Sequence, residues 1–326
     1  MFDITNTSGK KLKLDLGHPV ISRLTISSGG VVLEDIQHYN QLVGGILMPS
    51  QAGVGNLHAQ SFNLGTDTST ATGQMIRSSV NTGYNIRQIS SASAENGVAA
   101  TGVLGNGDSH TVCYKLISGL LDNDKYLPLV LMNAGITVQI ELAPGNEIGV
   151  SEASDAADIT YGISAVRYVA HLIDLERGFY DRLRSVQQAS GGQLTIAGTS
   201  FRSYTGNFGV SGSNTLNIPA RVRSIKSVFW KLSVAANNQQ YNLSSGCHGN
   251  IASYQLKIGA TNYPPTAIKV NAVTNKIEPY LELQKAFGKL GSTVHSDMLG
   301  VGSYLTKETV PADQMTAAGS AYMFGP

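Results

Sequence analysis

The sequence predicts an all-β chain with a few short helices, arranged as two successive β units. Three observations carry this expectation. First, apolar and polar residues alternate in several separate runs. The clearest is Ile136–Leu142, where Ile136, Val138, Ile140 and Leu142 alternate with Thr137, Gln139 and Glu141, the period of a half-buried strand. Second, the chain holds 36 glycines and only 14% charged residues, against about 25% in an average soluble domain. Many short strands joined by Gly- and Asn-rich turns have that composition. Third, at mid-chain a strand-like run leads into a helix-like run that stops at Ser190-Gly191-Gly192, and strand-like runs then begin again.

In the first half, Leu12, Leu14 and Leu16 alternate with Lys11, Lys13 and Asp15, a short strand. Val20 to Ser27 is a second strand, with Ile21, Leu24 and Ile26 less strictly spaced, and Gly29-Gly30 ends it. Val32 to Leu47 predicts a helix, because Leu33, Ile36, Val43 and Leu47 fall on one face at helical spacing. Gly44-Gly45 and Pro49 weaken and end it. Residues 50–110, rich in Gly, Ser, Thr, Asn and Gln, predict long connections. Order returns with a strand at Thr111 to Ile117 and the strand at Ile136–Leu142, bracketed by Pro128 and Pro144. Residues 144–158 predict a loop, and Ile163 to Ile173 a long strand.

Asp174 then stands where a helix N-cap is expected, before a helix over Leu175 to Gln187. Leu175, Phe179, Leu183 and Val186 form its apolar stripe, and Arg177 and Asp181, at i,i+4, share its wet side. These boundaries divide the chain into a first unit at 1–175, a linker helix at 176–192 and a second unit at 193–326. The second unit predicts strands at Leu194 to Tyr204, at Val222 to Val234 with Trp230 in its core, and at Tyr254 to Ile258. Pro279 opens a helix carrying Tyr280, Leu283, Phe287 and Leu290. Beyond Ile258 the strand candidates thin to Ala267–Val270 and Ser303–Thr306. The two halves echo each other loosely: each opens with a strand and places a second one near a proline, Pro19 or Pro219.

Chemistry-bearing motifs are sparse. The net charge of +1 argues against a basic nucleic-acid-binding arm, which needs clustered Lys and Arg. Arg177, Arg182 and Arg184, and again Arg221, Arg223 and Lys226, read as solvated or subunit-facing charge. Two cysteines, Cys113 and Cys247, do not make a disulfide framework. His110 with Cys113, and Cys247 with His248, lack the paired clusters of a zinc site. The scattered histidines therefore read as loop residues and Cys113 and Cys247 as two buried thiols. Gly105-Asn106-Gly107 lacks the third glycine of a dinucleotide fingerprint. Asp122 and Asp124 lack the ligand series of a calcium loop and read as turn residues. No run is long and apolar enough to span a bilayer, and the first residues do not resemble a secretion signal. The sequence thus predicts no catalytic residue, no cofactor site and no metal site, and no enzymatic activity.

The mid-chain run Ala165-Val166-Arg167-Tyr168-Val169-Ala170-His171-Leu172-Ile173-Asp174-Leu175-Glu176-Arg177-Gly178-Phe179 resembles the close of the first barrel in double jelly-roll major capsid proteins. There a strand ends in a Leu-Asp-x-x-Glu-Arg type segment before a short helix; here the acidic and basic residues stand closer together. Tyr126-Leu127-Pro128-Leu129-Val130-Leu131-Met132-Asn133 with the following strand is similar to that family's Leu-Pro-Leu segment. Leu216-Asn217-Ile218-Pro219 with Ile225-Lys226-Ser227-Val228-Phe229-Trp230 resembles its early second-barrel strand, and Ile251 to Gly259 the next one. The resemblance covers residues 110–260 and rests on order and spacing more than on any single motif. In size the chain is most similar to the FLiP-type, membrane-containing single-stranded DNA phages.

The resemblance implies two consecutive jelly-roll β-barrels of about eight strands each. It implies homotrimers that tile as pseudo-hexagons into the icosahedral shell of a tailless virus. The implied partners are further copies of the chain, penton and minor capsid proteins and an internal membrane, with no sequence-specific nucleic-acid contact. The implied place is the virion, after assembly in the host cytoplasm. Low charge fits extensive subunit contacts, since interface cores are depleted in charge. Phe179 and Leu183 would clamp the two barrels together. Two other classes stay open. A viral spike or carbohydrate-binding β-sandwich would use exposed loop aromatics, for which Tyr39, Tyr84 and Tyr241 are the candidates. A cupin-like metal enzyme would need a His-rich strand pair, which the sequence lacks.

Overall fold

Two three-stranded antiparallel sheets organise the first half, and each is built on a centre strand paired along both edges. The computed structural model describes residues 1–9, 12–14, 18–47, 106–123, 126–132, 134–151, 159–193, 195, 198–209, 212–232, 246–247, 251–270, 277–286, 307–309 and 320–322. Strand β1 (Phe2–Asn6) turns Phe2, Ile4 and Asn6 inward by strict alternation. It lies between β5 (Ser109–Val112) and β8 (Tyr161–Ser164). Strand β3 (Ile21–Ser28) buries Ile21, Leu24 and Ile26 and lies between β4 (Val31–Gln37) and β6 (Ile136–Leu142). Inward residues of both sheets join one apolar cluster, completed by Tyr39, Leu42 and Val43 from the short helix α1 (Tyr39–Leu42) and the π-turn that continues it to Leu47.

The remaining described strands form smaller antiparallel sheets. Strand β2 (Leu12–Leu14) pairs with β7 (Gly149–Ser151), and β10 (Ser253–Ile258) with β11 (Thr261–Lys269). Strands β9 (Gly246–Cys247), β12 (Lys307–Thr309) and β13 (Ser320–Tyr322) form a third group, with β13 in the middle. The chain is thus β-rich in small antiparallel sheets. Two longer helices accompany them, α2 (Arg177–Ala189) and α3 (Ile277–Ala286). No closed barrel forms among the described strands.

Several expectations change, each for a local reason. The predicted helix over Val32–Leu47 is a strand followed by a short helical turn. Gly29 and Gly30, at φ 58° and 81°, make the two-residue hairpin turn that glycine permits, so Val31 pairs with Ser28. A bulge at Leu33, where the register shifts, then swaps the faces. Leu33 ends up exposed and Ile36 buried, so their helical spacing has no structural meaning. A second bulge at Ser22 explains the loose spacing of Ile21, Leu24 and Ile26. The strand expected at Thr111–Ile117 is β5, which ends at Val112. The loop expected over 144–158 contains a one-turn helix at Gly145–Glu147 and the short strand β7. No strand forms among the described residues of Leu194–Tyr204 or Val222–Val234. Alternation gives those runs a common face, but alternation alone does not place a strand. Residues 50–105, Tyr84, Tyr241, Phe287 and Leu290 lie outside the described residues, and so does Ser303–Thr306.

Among the described residues the second half reaches the first half at Glu34, and also where Lys231 Nζ donates to Gln41 Oε1 on α1 (3.3 Å). Glu34, buried on β4, accepts hydrogen bonds from the Ser118 hydroxyl, the Gly119 N–H (2.9 Å), and the hydroxyl of Ser200 (2.6 Å). Phe201 packs on the core cluster beside it. A Cβ at Gly119 would collide with the Thr199 carbonyl, so the close approach of the two segments requires glycine there.

His18 lies in the loop before β3, as expected, but its side chain is not in solvent. It is buried, stacked between Tyr114 (ring centroids 4.6 Å apart) and Tyr39 (5.6 Å), with Nδ1 3.1 Å from the Tyr39 hydroxyl. That hydroxyl also accepts the Ile117 N–H at 2.7 Å. Burial disfavours the imidazolium and lowers the His18 pKa to about 3. The folded chain therefore holds His18 neutral, while the unfolded chain takes up a proton below about pH 6.5. Stability is full above that value and falls as the pH drops toward 3, by about 1.4 kcal/mol per pH unit for one proton. Urea unfolding between pH 7 and 4 is expected to show that loss, and His18→Phe, which keeps the stack without the titrating nitrogen, to flatten the profile by one proton's worth.

Candidate functional site

Strand β8 leads out of the first sheet into a segment rich in exposed apolar side chains. Ala165, directly after β8, adopts φ 50°, a left-handed conformation unusual for alanine. Arg167 then exchanges two backbone hydrogen bonds with Met1: its N–H donates to the Met1 carbonyl (2.8 Å), and its carbonyl accepts from the Met1 amino group (2.9 Å). Past this pair, residues 168–173 form neither helix nor strand, and none of their backbone groups is hydrogen-bonded. Val166, Tyr168 and Leu172, on one side by alternation, are 70%, 63% and 79% exposed. Ala170 completes that side, while Arg167, Val169, His171 and Ile173 make up the other. The predicted strand over Ile163–Ile173 is therefore paired only in its first part.

The arm passes into α2 through a small polar clasp. The Tyr180 hydroxyl accepts the Leu175 N–H and donates to Asp174 Oδ1, both at 3.2 Å. Glu176, not Asp174, is the N-cap residue, and no side chain caps the helix. The helix ends as expected. Gly192 N–H donates to the Gln187 carbonyl (2.8 Å) and Gly191 N–H to that of Gln188 (3.2 Å), with Gly191 at φ 73°, the paired closure that a left-handed glycine provides. Along α2 the stripe of Phe179, Leu183 and Val186 is present, but no residue of the helix is buried, and Phe179 is 50% exposed. The expected clamp between two barrels is thus not seen among the described residues: Phe179 and Val186 are exposed and Leu183 is only partly covered. Between Val166 and Val186, eight large apolar side chains are 41–79% exposed. Together they offer on the order of 800 Å², one partner's share of a standard-size protein interface.

Other residues singled out by sequence fall away from this surface. His110 lies on β5 opposite Ile4, and Cys113 is a free thiol, exposed rather than buried as expected. Asp122 is a turn residue whose carboxylate meets Lys115 Nζ at 2.7 Å; Asp124 lies outside the described residues, as does His248. Among the described residues, no three His, Cys, Asp or Glu side chains come together as metal ligands. Trp230 is half-buried and meets Tyr254 edge-on at 5.1 Å. Tyr39, a candidate exposed aromatic for glycan binding, is fully buried in the core. Sequence reasoning missed the exposure of the arm, because alternation predicts which side chains share a face and not whether anything covers it.

No protein-family model matches the chain, and no curated protein or solved structure is significantly similar to it.

No residue of α2 is buried and Leu183 is only partly covered, so replacement of the stripe is expected to leave the fold intact. Phe179→Asp with Leu183→Asp should change stability by no more than about 0.5–1 kcal/mol, measured by urea unfolding. The same double variant should lose self-association on size-exclusion chromatography. Strong destabilisation instead would place the stripe in an internal interface.

Proposed function

We propose that this chain is a structural subunit, the major capsid protein of a tailless icosahedral virus, assembling as pseudo-hexagonal homotrimers into a shell around the genome and an internal membrane. The single observation that carries the reading is the run of exposed large apolar side chains along the arm and α2. Monomeric proteins rarely leave so large a patch bare, and this one follows the mid-chain segment whose residues resemble the barrel junction of double jelly-roll capsid proteins. The composition agrees, since only 14% of residues are charged and interface cores are depleted in charge. In this reading each half completes a jelly roll, and the two-sheet core around β1 and β3 belongs to the first. The subunit acts mechanically: it encloses, and it displays its loops. No helix among the described residues is long and apolar enough to cross a membrane, so contact with lipid would be at the inner face of the shell. The glycan-binding alternative loses Tyr39, one of its three candidate aromatics.

Native mass of the purified chain by light scattering, with negative-stain images of the same sample, tests the proposal. The expected species is three times 34.4 kDa, with hexagonal outlines or closed shells. A monomer at every concentration would overturn the proposal and turn the search to glycan binding.

A further inference from the structure

Resting on the assembly reading, we infer that residues 166–173 add as an extra strand to the free edge of β6 in a second copy of this chain. The arm has what strand addition requires on one side: backbone outside any helix, unbonded peptide groups from 168 to 173, and an alternation that gives it one wholly apolar side when it extends. The open edges of the described chain differ in what they offer on the other. The outer edge of β4 is blunted by the bulge at Leu33, a common guard against edge pairing. Strand β5 spans only Ser109–Val112. Strand β6 is seven residues long, ends its sheet, and leaves Ile140 and Leu142 exposed.

An antiparallel register that sets Leu142 opposite Val166 matches the two segments along their length. Ile140 then faces Tyr168, Val138 faces Ala170, and Ile136 faces Leu172, so apolar residues meet on one side. On the other side Glu141 faces Arg167, Gln139 faces Val169, and Thr137 faces His171. Glu141 engages Arg23 through Oε1 at 3.0 Å, and its side chain is 45% exposed, so a second guanidinium can approach it. A register slipped by one residue, with Leu142 opposite Arg167, would set Glu141, Gln139 and Thr137 against Tyr168, Ala170 and Leu172 and lose the charge pair. A second copy is the committed occupant because the complement to the arm, in length, alternation and charge, is found on this same chain. Within one copy, β8 and β6 belong to different sheets that sandwich the shared core, and the arm leaves from the sheet that does not contain β6.

Cross-linking tests this directly. Two chains are co-expressed, both lacking thiols (Cys113→Ser, Cys247→Ser): one carries Gln139→Cys, the other Val169→Cys and a size tag. Directly opposed residues of an antiparallel pair lie within disulfide reach. Mild oxidation is expected to give a covalent heterodimer of one tagged and one untagged chain. A control pair, Gln139→Cys with Asp181→Cys on α2, should give none. Assemblies of normal native mass with no heterodimer would overturn the inference and leave the assembly reading standing. A single chain carrying both Gln139→Cys and Val169→Cys that cross-links at monomer mass would overturn it too, by placing the arm on its own β6. A monomeric native mass would overturn both.

Discussion

A strand contributes stability when its backbone is paired on both edges and one face is dry, and in this chain β1 and β3 meet both conditions. Leu24 and Ile26 of β3 and Ile4 of β1 are fully buried, and each centre strand has an antiparallel neighbour on either side. The outer face of the second sheet is tied as well. Arg23 bridges Asp35 on β4 (2.7 Å) and Glu141 on β6 (3.0 Å), and its hydrogen bonds hold the Asp35 carboxyl below its usual range. Such an exposed ladder adds little energy, but it fits only one register and so opposes slippage. The burial of His18 between two tyrosines follows from the same core, whose dryness keeps the ring neutral.

Seen from these centre strands, the arm is an unfinished version of the same pattern. Residues 166–173 have the alternation of a half-buried strand but neither a paired edge nor a covered face. Helix α2 continues the deficit, with a stripe at helical spacing and no buried residue. Leaving such surface in water costs roughly 25 cal/mol per Å² relative to burying it. A cover over both elements is therefore the natural completion of the fold, and the proposed lattice of identical subunits would supply one at every copy.

The sequence revealed periodicity and little of its context. Ile136–Leu142 is a strand with the predicted bounds, since nothing interrupts its alternation. Helix α2 begins two residues later than expected, and Gly191 and Gly192 stop it where glycine in the left-handed region must. Bulges at Ser22 and Leu33 hid the hairpin of β3 and β4, because one inserted residue moves every later side chain to the other face. Strand β1 carries only Phe2 and Ile4 as apolar signal, too short a run to stand out. The stack of Tyr39, His18 and Tyr114 joins residues far apart in the chain, and the contact of Glu34 with Ser200 spans 166 positions. No local pattern announces such pairings. The exposure of the arm was illegible for the same reason.

Hydrogen exchange of the arm in the smallest soluble species and in the assembled form measures directly whether assembly supplies the missing cover. Amides of residues 168–173 are expected to exchange freely in the small species and to become strongly protected on assembly, while those of β3 stay protected in both. Equal exchange of the arm in the two forms would contradict the account, because the apolar surface on which it rests would then remain uncovered in the assembly.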